Sequence, residues 1–364
     1  MRYPKWVLLL AGLGALAACS NGDSSAGGQA GGEASSESAA ETAPADDGVF
    51  RVVGTTTQAY DLLTILTDGG QSIEVTGLMG AGVDPHLYQP TERDIRAMNQ
   101  ADLVVYSGLN LEGQFDAVFE ALGEQGVEIF ALSEPVARAG FVIGAFEEEA
   151  GSDGSDDPHF WFDPRNWSIT VLDLGRYLAE IDPERADLYT ANADAYAASL
   201  DSLYEWADSG MRSVPGRQRY LVTSHDAFQY FGAAFGWRMA AIQGISTEDE
   251  AGVGDVQQTV DFVIENDIPV LFVESSLPPD TVEAVIEAIR AEGGQVRVGV
   301  RELYSDAMGA VGTFGGTYIG MIAENVYTIL QSYRAAGVDV TIPAWPDTLE
   351  PQPPTGVRQP PETE

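Results

Sequence analysis

The stretch PERADLYTANADAYAASLDSLYEWADSGMRSV, residues 183–214, decides how the rest of the chain is organised. After its first residue it contains no proline, and its first glycine is Gly210, so no residue before that point interrupts a helix. Apolar side chains recur along it at Leu188, Tyr196, Leu200, Leu203 and Trp206. About 27 helical residues would extend about 40 Å, which is long enough to connect two domains. The stretch predicts one connecting helix, and the alternative is two shorter helices separated by a kink.

Short apolar segments typical of strands alternate with helical segments on both sides of this stretch. Before it they cover residues 50–55, 72–79, 102–106 and 128–132, and after it residues 220–223, 239–242, 270–274 and 296–300. This alternation is typical of mostly parallel sheets flanked by helices. We therefore predict an α/β fold with two lobes, residues 49–182 and 215–346, joined by one long rigid helix over residues 183–214. Each lobe is expected to bury its own core.

The two ends of the chain have different compositions from the middle. Arg2 and Lys5 precede an apolar run over residues 6–18, which is shorter than the roughly 20 residues of a membrane span and typical of a secretory signal. The run ends in Leu-Ala-Ala-Cys, similar to a bacterial lipobox, so we predict a lipoprotein signal peptide over residues 1–18 and a lipid anchor on Cys19. The alternative is an ordinary signal peptide with an incidental cysteine. Residues 19–48 are predicted to form a flexible tether, and residues 347–364 a disordered tail.

Composition excludes several classes of function. The 364 residues include 56 acidic and 18 basic side chains, for a formal charge of −38, whereas nucleic-acid binding needs clustered positive charge. The chain has one cysteine, which excludes an intrachain disulfide, a zinc finger and an iron–sulfur cluster. It has only three histidines, so their positions become informative.

All three histidines are predicted to lie in loops. His86 lies in GVDPHLYQP and His159 in DPHFWFDP, two loops punctuated by proline, and His225 directly follows a strand in LVTSHDAF. Ligands of open α/β sheets bind beyond the carboxyl ends of strands, and imidazole is the commonest side-chain metal ligand. Any one of these residues could have a structural role, but the three together favour a metal site.

Five motifs extend this interpretation. GVDPHLYQPT, DPHFWFDP, LVTSHDAFQYFGAAFGW, ISTEDEAGVGDVQQTVDFV and YSDAMG resemble the zinc- and manganese-binding solute-binding proteins of metal-uptake ABC transporters. The resemblance covers residues 52–344. It implies two α/β lobes joined by one long helix, with a metal ion held between the lobes. Carried over residue by residue, it implies the ligands His86, His159, His225 and Asp306.

The donor set indicates which metal ion is expected. Three imidazoles and one carboxylate suit Zn²⁺ better than Mn²⁺, which prefers oxygen ligands. In this family the third position is often glutamate in manganese carriers, so His225 favours zinc, and Mn²⁺ is the alternative. Because imidazoles must lose their protons to bind, affinity is expected to fall as the pH drops through about 6.5.

Other acidic residues are weighed as supporting groups. Glu274, at the end of a predicted strand, is a weak candidate for orienting an imidazole, and the alternative is a strand-end carboxylate without such a role. Asp84 and Asp163 are expected to fix their loops. The acidic stretch 147–157 could attract cations to the site or be a solvated loop.

We therefore predict a lipid-anchored, extracytoplasmic, monomeric receptor that captures Zn²⁺ and delivers it to an ABC permease driven by its ATPase. It is expected to bind no nucleic acid. The alternatives are a manganese carrier of the same type or a metal-binding surface adhesin. A metallohydrolase is less favoured, because a catalytic zinc keeps a position for water and the site also needs a general base, whereas all three histidines are assigned to the ion. We therefore predict that the protein is not an enzyme.

Overall fold

The computed structural model describes residues 47–144 and 156–359. In chain order, the first half consists of β1 (Phe50–Gly54), α1 (Thr57–Leu66), β2 (Ile73–Gly77), α2 (Glu92–Asn99), β3 (Leu103–Tyr106), α3 (Asp116–Glu124), β4 (Glu128–Ala131) and α4 (Glu134–Ala139). Two long helices follow, α5 (Pro164–Ile181) and α6 (Ala186–Met211). The second half consists of β5 (Tyr220–Thr223), α7 (Gln229–Phe235), β6 (Arg238–Ala241), α8 (Val253–Glu265), β7 (Val270–Leu271), α9 (Asp280–Ala291), β8 (Arg297–Val298), α10 (Tyr318–Ala335) and α11 (Thr355–Arg358).

The sheet of the first half is parallel throughout and has the strand order β2-β1-β3-β4. Its central strands are apolar because both of their faces are covered. Val52 and Val105 pack into the core that contains α1, whereas Val53 and Val104 point to the opposite face, towards Phe119 of α3. Successive strand residues point to opposite faces, so one short apolar run supplies side chains to two layers.

The second half has shorter parallel pairs, β5 with β6 and β7 with β8. A hydrogen bond from Phe272 N to Val222 O, 2.9 Å long, joins the two pairs. The last strand was predicted over residues 296–300, but the ladder covers only Arg297–Val298, and both of these residues are exposed. The strand ends there because Val300 N donates a hydrogen bond to the hydroxyl of Ser332 on α10.

The connecting stretch is one uninterrupted helix, as predicted. Its 26 residues, Ala186–Met211, extend about 39 Å at 1.5 Å per residue. The helix packs closely against α5, since a Cβ added to Gly175 would lie 2.6 Å from the Cβ of Ala193. It contacts α1 of the first half and α10 of the second. These observations confirm the predicted α/β architecture with a long helix between two lobes.

One hydrophobic cluster lies wholly within each half, and a third is shared between the two halves. The shared cluster runs from Val52 in β1 through Leu200 in α6 to Leu330 in α10. Because α6 lies against helices of both halves, its apolar side chains belong to the hydrophobic core of the first half and to that of the second. The chain from Asp47 onward accordingly forms one compact unit.

Residues 347–359, within the stretch predicted as a disordered tail, contact the folded body. Leu349 is buried and its carbonyl accepts a hydrogen bond from the indole of Trp345. Arg301 donates to the carbonyls of Gly356 and Gln359. Proline-rich backbone cannot satisfy its own carbonyls by a helix or sheet ladder, and here donors from the folded body satisfy them instead.

Several predicted features lie outside the described residues. These are the signal peptide, Cys19, nearly all of the tether, most of the acidic stretch 147–157 and residues 360–364. Among residues 47–144 and 156–359, no helix combines the length and the apolar character needed to cross a bilayer.

Candidate metal centre

The four residues singled out in the sequence converge in space. One side-chain atom from each of His86, His159, His225 and Asp306 lies within 4.8 Å of the corresponding atom of every other. All four side chains are buried, with exposed fractions between 0% and 4%. Asp306 Oδ1 lies 3.2 Å from His159 Nε2 and 3.3 Å from His225 Nε2. The four side chains therefore meet at one place.

The position of each residue follows from the topology. His86 lies in the loop after β2, and His159 directly precedes the short 3-10 turn Phe160–Phe162 that leads into α5. His225 follows β5, and Asp306 follows β8. Three of the four thus come after the carboxyl ends of parallel strands, where ligand sites of open sheets form.

A carboxylate holds His159 at two points. Asp157 Oδ1 accepts from the backbone N of His159 at 2.9 Å and lies 2.8 Å from ring Nδ1. Asp157 is itself buried. Asp157 belongs to the acidic stretch 147–157, and its carboxylate contacts a residue of the cluster. The Asp-Pro-His spacing was the available signal, because an aspartate two residues before a histidine can cap that histidine's N–H.

Glu274 has the same relationship to His225. Its Oε1 accepts from His225 N at 2.9 Å, and its Oε2 lies 2.6 Å from ring Nδ1. Such contacts are those of a carboxylate that orients an imidazole. Since the ring's Nδ1 is engaged, Nε2 is the nitrogen that faces the cluster.

Asp84 and Asp163 fix their loops, as predicted. Asp84 Oδ1 accepts from His86 N at 2.9 Å. Asp163 caps the start of α5 by accepting from Arg165 N, and it also pairs with the Arg165 guanidinium.

The cluster leaves donor atoms without partners. Within the described part of the chain, His86 Nε2, His159 Nε2, His225 Nε2 and Asp306 Oδ1 are buried and lack a well-formed hydrogen bond. Buried polar atoms are ordinarily satisfied. Four unsatisfied atoms, all potential metal ligands and all facing one point, fit a bound cation.

The electrostatics of the histidines differ from one another. Burial lowers the pKa of His86 to about 3. Burial acts in the same direction on His159, but the hydrogen bond to Asp157 and the nearby carboxylate of Asp306 outweigh it and raise its pKa to about 9. The pKa of His225 is also raised, because Asp306 and Glu274 outweigh the effect of burial. Burial would raise the pKa of Asp306, but the adjacent His225 and His159 hold it well below its usual range.

A family model described as ZnuA, zinc-uptake complex component A, periplasmic, matches residues 52–332. The chain belongs to this family. The resemblance inferred from the motifs is therefore confirmed, and with it the prediction of a solute-binding component for metal uptake. The ZnuA family is one of transport components and not of enzymes.

Two curated relatives are named for different metals. The manganese-binding lipoprotein MntA of Bacillus subtilis (strain 168) is 38% identical over 288 residues, covering 79% of this chain and 91% of its own. The zinc-binding protein TroA of Treponema pallidum (strain Nichols) is 37% identical over 286 residues, covering 79% and 89%. The solved structure of periplasmic zinc-binding TroA from Treponema pallidum matches with a TM-score of 0.71 at 36% identity, covering 78% of this chain and 99% of TroA. Similarity to ZnuA-family members thus indicates a metal carrier without choosing between the two ions.

Proposed function

We propose that the protein is an extracytoplasmic receptor that captures Zn²⁺ between its two lobes and delivers it to an ABC permease and its ATPase. The observation that carries the proposal is the buried cluster of His86, His159, His225 and Asp306. Each residue offers one donor atom, and zinc in proteins is bound by such sets of imidazole and carboxylate donors.

The choice of zinc over manganese rests on the donor chemistry. Three of the four donors are imidazole nitrogens, which suit a borderline ion, whereas Mn²⁺ favours carboxylate and other oxygen donors. The relatives do not decide the choice, since one is named for manganese and another for zinc. Mn²⁺ therefore stays as the alternative cargo.

We further infer that the centre is not catalytic. The chain's three histidines all belong to the cluster, so no further imidazole remains to act as a general base. The four donors are buried, whereas a catalytic zinc keeps one position for water or substrate. The arrangement supports holding an ion and not activating a water.

The membrane attachment belongs to the same proposal. A lipid anchor on Cys19, followed by a tether over residues 19–48, would keep the receptor near the permease. Stable anchoring by lipid takes more than one acyl chain, as at a lipobox cysteine. The lobe boundaries 49–182, 183–214 and 215–346 are proposed on the same basis.

The proposal is tested by elemental analysis of natively purified protein together with competition between Zn²⁺ and Mn²⁺. We expect one equivalent of zinc, and a zinc affinity well above that for manganese. One equivalent of manganese that zinc fails to displace would assign the alternative cargo. Binding of neither ion would refute the proposal.

A further inference from the structure

The loop that carries Asp306 is held by the start of α1, which lies in the other half of the molecule. Gln58 Nε2 donates to Asp306 O at 3.0 Å, and Met308 N donates to Thr57 Oγ1 at 2.9 Å. The Thr57 hydroxyl in turn donates to Gln58 Oε1 at 2.9 Å. These three bonds form one connected group that holds the backbone at Asp306 O and Met308 N, on either side of Ala307. Its side chains are buried, so water does not substitute for them.

A second contact runs in the opposite direction. The loop that carries His86 belongs to the first half, and its Asp84 accepts from His86 N through Oδ1. The other oxygen of Asp84 accepts from the hydroxyl of Thr247 in the second half, at 2.7 Å. Thr247 lies in the segment between β6 and α8 and is buried. Each half therefore fixes a ligand-bearing loop of the other.

We propose that Thr57, Gln58 and Thr247 are positioning residues that tie the geometry of the metal centre to contact between the two halves, and so slow release of the bound divalent cation. This inference rests on the proposed function, because it concerns the same cluster. None of the three side chains belongs to the four-residue cluster. They act through the backbone of Asp306 and through Asp84.

The physical argument follows from where the bonds lie. When the loops of His86 and Asp306 move apart to release the ion, these contacts break and the two loops lose their supports. Removing one buried hydrogen bond should cost enough to accelerate release roughly two- to tenfold. The effect should fall on the dissociation rate and leave the association rate near its original value, since changes within one interface act mostly on dissociation.

The test measures zinc release from the full-length protein into an excess of chelator by stopped flow, together with the rate of zinc uptake. Gln58→Met and Thr247→Val remove the donors at nearly constant volume, and Thr247→Ser keeps the hydroxyl. The control is Gln114→Ala. Gln114 also donates across the halves, to Glu248 at 3.0 Å, but both of these side chains are exposed.

We expect Gln58→Met and Thr247→Val to release zinc roughly two- to tenfold faster, with Thr247→Ser and Gln114→Ala close to the wild type. Thermal unfolding of each metal-free variant checks that the fold survives. If Gln58→Met fails to fold, Thr57→Val tests the same group of bonds.

Two results would overturn the inference while leaving the proposed function intact. One is wild-type release rates in both Gln58→Met and Thr247→Val. The other is equal acceleration in Gln114→Ala, which would mean general loosening of the protein instead of positioning. Failure of the wild type to bind zinc or manganese would refute the proposed function and this inference together.

Discussion

Glu274 and His225 are joined by two contacts from one carboxylate, 2.9 Å to the backbone N and 2.6 Å to ring Nδ1. The pair fixes both the loop and the rotation of the ring. Because Nδ1–H donates a hydrogen bond to the carboxylate, Nε2 is the ring nitrogen whose lone pair can bind a metal. Asp157 and His159 have the same relationship. Two of the three imidazoles are thus preset by acidic neighbours that do not themselves reach the cluster.

Glu274→Gln should lower zinc affinity by about ten- to hundredfold, the usual cost of altering a group that orients a metal ligand. The amide keeps the shape of the side chain but loses the charge that stabilises the Nδ1–H tautomer. Isothermal titration with a competing chelator measures the change. Glu283→Gln, on the exposed face of α9, is the matched control and should bind as the wild type. Unaltered affinity in Glu274→Gln would show that the contact has no influence on binding.

His225→Ala should lower zinc affinity further than Glu274→Gln does, by more than about a hundredfold, because it removes a donor atom itself. The far-UV circular dichroism spectrum should be retained, since the packing of α6 and α10 does not depend on this ring. Chelator competition measures the affinity. Tight, equimolar zinc binding by this variant would contradict the proposed centre.

Zinc affinity should increase with pH between about 6 and 8. The pKa of His159 is raised to about 9 and that of His225 is also raised. Both rings are therefore positively charged in the metal-free protein at neutral pH, with a proton on each ring nitrogen. The lowered pKa of His86, about 3, keeps that ring neutral. Zinc must displace the protons, so binding should release about two of them and gain up to about a hundredfold in affinity per pH unit.

The released protons can be counted by calorimetry in buffers of different ionisation enthalpy. From the sequence, zinc affinity is expected to change near pH 6.5. The acidic neighbours of His159 and His225 raise the pKa of both rings and so move this change to higher pH. Zinc affinity that stays flat from pH 6 to 8 would contradict the charge states described for the two rings.

Asp61→Asn should stabilise the metal-free protein at pH 8 by roughly 2–4 kcal/mol and have little effect at pH 4. Burial raises the pKa of Asp61 to about 7, although Tyr318 N donates to it. A folded-state pKa above the unfolded one favours the protonated form, so the fold loses stability as the pH rises from about 4 to 7. Asparagine keeps an acceptor for Tyr318 N without the charge.

Urea unfolding at the two pH values tests this effect of Asp61. Asp68→Asn, at an exposed position close by, should change the stability by less than about 0.5 kcal/mol at either pH. An equal gain for Asp61→Asn at both pH values would show that removing the buried charge is not the cause.

Cys19→Ala should release the protein from the membrane fraction in soluble form. Without a thiol at this position no lipid can be attached there, and secretion would depend on the rest of the signal. Fractionation after detergent-free lysis measures the distribution, and Ser20→Ala provides the control. Persistent recovery only in detergent would contradict the lipobox assignment.

The sequence was most informative where few residues could supply the chemistry. With three histidines in the chain, each in a loop, the candidate ligands were few, and the motif containing Asp306 completed the set. The long helix was also predictable, because residues 183–214 lack an internal interruption before Gly210.

The remaining features depend on contacts between residues distant in the sequence. Gln58 and Asp306 are 248 positions apart, and no local pattern at either residue indicates their hydrogen bond. The shared core was missed because amphipathic periodicity shows that a helix has an apolar face but not which elements cover it. The ordered tail depends on Arg301, whose role in binding distant carbonyls has no sequence signature.

Trp161 packs edge-on against His159, with ring centroids 5.3 Å apart, and its side chain is 1% exposed. A protonated imidazole quenches the fluorescence of a neighbouring indole, and zinc would leave His159 without its extra proton. Tryptophan emission is therefore expected to report occupancy of the site. Loading and unloading can be followed by tryptophan emission in the unlabelled chain, in real time and without a dye that competes for the ion.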